Sequence, residues 1–119
     1  MLCAGAVAAP SALSAPVKYS LDRPPKNPTR AQLMNMRIPI SLWIRVGQCE
    51  QPGAGYKGVR WSHPGPRYEG GLGFYHGSWD AYRPSYYPGN AGHATWQQQM
   101  VVASRLWARA GWGWGCDVR

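Results

Sequence analysis

Acidic side chains are scarce in this 119-residue sequence: five Asp and Glu stand against thirteen Lys and Arg, for a formal charge of +8. A surface of that sign attracts polyanions and speeds encounters with them, without identifying which polyanion. Dense basic runs are missing too. The Lys and Arg residues are scattered and no RNA-binding aromatic signature occurs, which counts against nucleic acid; a negatively charged cell wall fits the charge equally well, and a basic surface that only confers solubility is the plain alternative. Long apolar runs are also lacking. Residues 1–16 are small and apolar but short and Pro-interrupted, so they exclude a membrane span at that end. His63, His76 and His93 lack ligand spacing with one another or with the cysteines, so no metal site and no cofactor are expected. Phe is used once.

What is present instead is Trp and Tyr, seven of each. Their apolar faces and polar edges suit a core, and equally a groove in which rings pack on sugar faces and edges hydrogen-bond hydroxyls. A chain of this length allows one domain. Residues 1–16 read as a secretion leader with an atypical start, since no basic residue precedes the apolar run, or as an uncleaved apolar arm. Residues 17–38, with Lys18, Arg23, Lys26 and Arg30 among Pro24, Pro25 and Pro28, read as an extended basic linker.

From residue 39 the pattern changes to that of a folded domain reaching residue 119. Leu42, Trp43, Val46 and Cys49 recur at helical spacing, which predicts a helix near residues 40–50 with Glu50 at its end and Pro52 and Gly53 beyond it. The glycine-rich stretch 53–77, with Pro64 and Pro66, reads as loop or hairpin. A short helical turn capped by Ser78 is expected through Trp79, Asp80 and Tyr82. Thr95 and Gln98 have the spacing of a capping box, which opens a helix over 95–110 with Met100, Ala103, Leu106, Trp107 and Ala110 as its apolar stripe and Gly111 as its stop.

The three cysteines supply a link between the two helices. Cys49 ends the first, Cys116 follows the last and Cys3 stands alone near the start, so a Cys49–Cys116 bridge is the natural pairing. On the chain-entropy view a bridge closing so long a loop contributes about 4 kcal/mol and implies an oxidising compartment. Two reduced thiols in a cytosolic protein are the alternative.

Five blocks then carry a resemblance: W-I-R-V-G-Q-C-E at 43–50, Y-E-G-G-L-G-F at 68–74, S-W-D at 78–80, Q-Q-Q-M-V-V-A-S-R-L at 97–106 and G-W-G-W-G-C at 111–116. Together, and in this order, they resemble the transglycosylase-like domain of the resuscitation-promoting factor family. The resemblance implies a small lysozyme-like domain of α+β class, mainly α, with one disulfide, preceded by an extended N-terminal segment. It implies a secreted, wall-associated enzyme that cleaves the β-1,4 bond between N-acetylmuramic acid and N-acetylglucosamine in peptidoglycan. It also implies that Glu50, after the first Cys, protonates the glycosidic oxygen, and that Cys49 and Cys116 pair. Partner proteins of a wall-remodelling complex or a virion fit the same role.

Donating a proton near neutral pH calls for surroundings that disfavour the charged carboxylate, and a cleft walled by aromatics supplies them. Trp43, Trp61, Tyr68 and Tyr75 are the candidate walls, and Trp61, Tyr68, Gly70, Gly71, Tyr75 and Trp79 the candidate substrate-binding residues. An acid at a helix C-terminus opposes the helix dipole, which favours a functional reason for Glu50. Glycoside cleavage commonly uses two carboxylates. Asp22 lies in the linker and Asp117 beyond the last Cys, so Glu69 and Asp80 are the remaining candidates. Enzymes of the resembled kind manage with a single acid, the sugar's 6-hydroxyl or water then attacking. Two departures stand out. The stretch after Glu50 reads Q-P-G-A-G-Y in a longer loop, and Gly73 replaces the Gln usual inside G-G-L-Q-F, removing an amide near the carboxyl. These departures favour the alternative of a non-catalytic wall-binding or structural module in a larger assembly such as a phage tail. Nucleic-acid binding is a third reading, which predicts retention on DNA that falls steeply with salt.

Overall fold

The computed structural model describes residues 19–119; residues 1–16, read above as a leader or an apolar arm, with Cys3, and Val17 and Lys18 lie outside the described residues. In chain order come helix α1 (Arg30–Asn35), helix α2 (Ile40–Glu50), a 3-10 turn at Tyr56–Gly58, strands β1 (Tyr68–Glu69) and β2 (Phe74–Tyr75), helix α3 (His76–Tyr82), a 3-10 turn at Ala91–His93, and helix α4 (Trp96–Ala110). The strands form one antiparallel pair, Tyr68 opposite Tyr75 and Glu69 opposite Phe74. The class is the expected one, α+β and mainly α, with one disulfide.

Helix α4 is the centre of the molecule. Thr95 Oγ1 accepts the Gln98 N–H at 3.1 Å while Gln98 Oε1 accepts the Thr95 N–H at 2.9 Å, so two amides the helix start leaves unpaired are satisfied. Every residue from Gln98 to Leu106 is buried, the polar ones included. The expected stripe is therefore corrected: α4 is wrapped on all sides along its middle, while Ala110 lies in a last turn that projects into solvent. Burial of Gln99, Ser104 and Arg105 is offset by hydrogen bonds. Gln99 Nε2 donates to the carbonyls of Trp61, Ala91 and Ala94 at 2.9–3.1 Å, and its Oε1 accepts the Gly71 N–H at 2.8 Å. Ser104 Oγ accepts from the Trp43 indole at 2.9 Å. Arg105 Nε donates to Tyr82 O at 2.6 Å. Gly111 ends the helix at φ 87° with ψ −176°, outside the left-handed helical well expected of it but in a region that equally favours glycine.

Helix α2 packs across α4 through Trp43 and Val46, both fully buried. Gly47 lets the chain pass close to Val59, since a Cβ there would meet Val59 Cγ1 at 2.8 Å. Cys49 departs from the expected stripe: it faces solvent. Trp43 anchors an aromatic cluster, parallel to Trp112 at 5.7 Å, edge-on to Trp107 at 5.7 Å and tilted against Trp114 at 4.7 Å. The Gly-Trp tail thus packs against the first long helix.

Two further expectations are corrected. Over the described part of 17–38 the chain is no extended linker. Thr29 and Gln32 form a second capping box that starts α1, and Leu33, Met36 and Ile38 are buried. The proline-rich approach is fastened by its own free carbonyls: Tyr87 Oη donates to Pro25 O at 2.8 Å, Gln98 Nε2 to Lys26 O at 2.8 Å, and Tyr86 Oη to Pro24 O. The second correction concerns α3, which begins at His76, two residues earlier than expected. Ser78 lies inside it and caps nothing, the helix entering directly from strand β2.

Candidate active site

A groove of about 600 Å³ runs between the end of α2, the β1–β2 hairpin, α3, the end of α4 and the tail after it. Glu50 borders it, half-buried. The bridge between Cys49 and Cys116, with their Cα atoms 6.1 Å apart, draws the tail across the end of α2. This places the Cys116 N–H where it donates to Glu50 Oε2 at 3.2 Å. Gly73 approaches from the other side. At φ 64° its backbone takes the left-handed form, and a Cβ built there would sit 3.2 Å from Glu50 Oε1.

Aromatic rings form much of the remaining wall. Tyr68 and Tyr75, partners across the hairpin, meet edge to face at 6.4 Å and keep 46% and 57% of their surface exposed at the groove. Tyr82 and Ser78 line it from α3, and Trp114, Phe74 and Leu106 supply apolar floor. Trp114 is fixed in turn by its indole N–H on Leu72 O at 3.0 Å. Glu50 is the only ionisable acid along the groove among the described residues. Such a surface, one carboxyl among rings and hydroxyls, suits a hydroxyl-rich neutral chain.

The structure divides the sequence candidates. Glu50, Tyr68 and Tyr75 meet at the groove. Trp61, Gly70, Gly71 and Trp79 do not, and as substrate contacts they are corrected. Trp79 is fully buried, edge-on to Phe74 at 5.0 Å, with its indole N–H on Pro88 O at 2.8 Å. Trp61 is buried with its N–H on Tyr56 O at 2.9 Å. Both rings gain more from core burial and a satisfied N–H than a groove wall would give. Gly71 is small because Trp61 and Val59 press on it, and Gly70 because the Gln99 amide does: added Cβ atoms would meet them at 2.6 Å or less. Trp43, also weighed as a wall, is in the core.

Glu69 and Asp80 are likewise committed elsewhere. Glu69 keeps only 3% exposure; its Oε1 accepts the Ala91 N–H at 3.0 Å and its Oε2 pairs with His76 Nδ1 at 2.6 Å. Asp80 pairs with Arg83 on the outer face of α3 at 2.7 Å. Neither borders the groove. Sequence reasoning missed Ser78, Tyr82 and Trp114. The signal available for the first two was the hydroxyls one helical turn apart, at i and i+4.

A family model, the transglycosylase-like domain, matches residues 39–116, from the start of α2 to the second bridged Cys. Resuscitation-promoting factor Rpf1 of Corynebacterium glutamicum is 40% identical over 76 residues, which is 63% of this chain and 36% of that protein. Rpf2 of the same organism is 34% identical over 74 residues, 61% of this chain and 18% of that protein. The similarity thus spans a minor part of these curated relatives. No solved structure matches. Among the described residues no helix is long and apolar enough to cross a membrane. With the match running through both bridged cysteines and every element that borders the groove, the chain belongs to the transglycosylase-like domain family of the resuscitation-promoting factors.

Proposed function

We propose that this chain cleaves peptidoglycan glycan strands at the β-1,4 bond between N-acetylmuramic acid and N-acetylglucosamine, as a lytic transglycosylase or a muramidase-type hydrolase, with Glu50 as its general acid. The observation that carries the reading is a lone carboxyl, half-buried and held by a backbone N–H, bordering an aromatic groove. In this scheme Glu50 gives its proton to the glycosidic oxygen as the C–O bond breaks, leaving a cation-like C1 on the muramic residue. The 6-hydroxyl of that sugar closes on C1 to give the anhydro product, or water attacks to give the hydrolysed one. Either nucleophile returns a proton to Glu50, which ends as it began. Tyr68 and Tyr75 offer rings and hydroxyls to the sugars. The domain at 39–119 carries this chemistry and residues 1–16 act as a secretion leader, so that the bridge forms outside the cell.

A second reading is a non-catalytic wall-binding or structural module, and Gly73 favours it, because this position beside Glu50 carries no side chain and so no amide. Clearing of a peptidoglycan suspension by the native chain and by Glu50→Gln separates the two. Loss of about 100-fold or more in the variant is expected of a general acid. Equal clearing by both removes Glu50 from the mechanism, and wall binding without clearing supports the module.

A further inference from the structure

The loop between α2 and β1 carries one sign of charge. From Gln51 to Arg67 it contains Lys57, Arg60 and Arg67 and no Asp or Glu. It ends at the groove: Arg67 immediately precedes Tyr68, and its guanidinium lies over the Tyr68 ring at 5.6 Å from the centroid. A guanidinium on an aromatic face is held in place while its N–H edge stays free for an anion. Arg67 is exposed and, among the described residues, has no carboxylate partner, whereas Arg83, Arg109 and Arg119 each have one.

The backbone leading to Arg67 is fixed rather than loose. The Gly70 N–H donates to His63 O at 2.7 Å, His63 Nδ1 lies 2.9 Å from Tyr68 O, and Asn90 Nδ2 donates to Pro64 O at 3.1 Å. Among the described residues the groove is lined by one carboxyl and no basic side chain. A neutral sugar chain would therefore need nothing from Arg67, while a glycan bearing carboxylate arms would bring an anion to the rim where the guanidinium waits.

We propose that Arg67 is a specificity-determining residue that selects glycan strands with free carboxylate side arms over strands whose carboxyls are capped. The proposal deepens the peptidoglycan reading and rests on it for the identity of the strand. Its test compares binding, by titration calorimetry, of soluble peptidoglycan strands with free carboxyls and of the same strands after carbodiimide coupling to methylamine. The native chain and Arg67→Gln, Arg67→Lys and Arg30→Gln are measured. Arg30 is an equal charge on α1, which contributes nothing to the groove.

The preference for free over capped strands falls about fivefold in Arg67→Gln, as for an exposed charge-assisted contact, and is partly kept in Arg67→Lys. It is unmoved in Arg30→Gln. An unchanged preference in Arg67→Gln overturns the proposal, and so does an equal fall in Arg30→Gln, which would make the effect one of net charge. Counting newly formed strand ends in the same soluble samples separates this from the enzymatic reading. Cleavage without an Arg67 effect sinks only the selectivity. Arg67-dependent binding without cleavage sinks only the catalysis. No binding to either strand overturns both.

Discussion

The backbone N–H of Cys116 donates to Oε2 of Glu50, whose chain neighbour Cys49 is the other half of the same disulfide. One covalent link therefore does two things. It closes the chain across most of the domain, and it sets a hydrogen-bond donor against the single acid of the groove.

Reduction, or the paired change Cys49→Ser and Cys116→Ser, is expected to lower stability by about 4 kcal/mol on the chain-entropy view. Cys49 is exposed, so a mild thiol reaches the bridge without prior unfolding. Urea denaturation with and without reductant measures the cost, and a loss below about 1 kcal/mol would show that packing of the tail alone holds it. Activity at temperatures where the reduced fold persists is expected to fall further, because the Cys116 amide is then no longer tethered beside Glu50.

Gly73→Ala tests the space beside the acid. The backbone at φ 64° costs an L-residue about 1–2 kcal/mol, and the new methyl would stand 3.2 Å from Glu50 Oε1. The expected outcome is a modest fall in melting temperature with a larger fall in kcat than change in KM. A variant that loses stability but keeps full turnover would separate Gly73 from the carboxyl.

Gln99 joins four segments through one amide, and Gln99→Leu removes all of those bonds at once while leaving their partners buried. Each orphaned group costs on the order of 1–3 kcal/mol, so the variant is expected to be among the least stable single changes in the chain. Chemical denaturation gives the value. A cost under about 1 kcal/mol would mean that water enters to replace the amide.

Leu33→Ala tests whether residues before 39 belong to the folded body. Leu33 is fully buried, and truncating such a leucine costs about 2–5 kcal/mol. A neutral result in thermal melting would return α1 to the status of an appendage.

The blocks that name the family, the α+β class, the two long helices, the capping box at Thr95 and the pairing of Cys49 with Cys116 were legible in the sequence alone. Each depends on local periodicity or on a short run of residue types, and such signals survive without knowledge of neighbours. The position of Glu50 at the end of α2 was legible for the same reason, since it follows Cys49 and precedes Pro52 and Gly53. Even α1 left a local trace in Thr29 and Gln32, obscured by the prolines around it. What only the tertiary structure decided was the sorting of look-alike side chains. Trp61 and Trp79 are as aromatic as Tyr68 and Tyr75, and Glu69 as acidic as Glu50, yet Trp61, Trp79 and Glu69 are sealed in the core, Trp79 with its indole N–H on Pro88 O and Glu69 with its carboxylate on the Ala91 N–H. Whether a ring faces a groove or a core is settled by which distant segments close over it, and residue type carries no record of that.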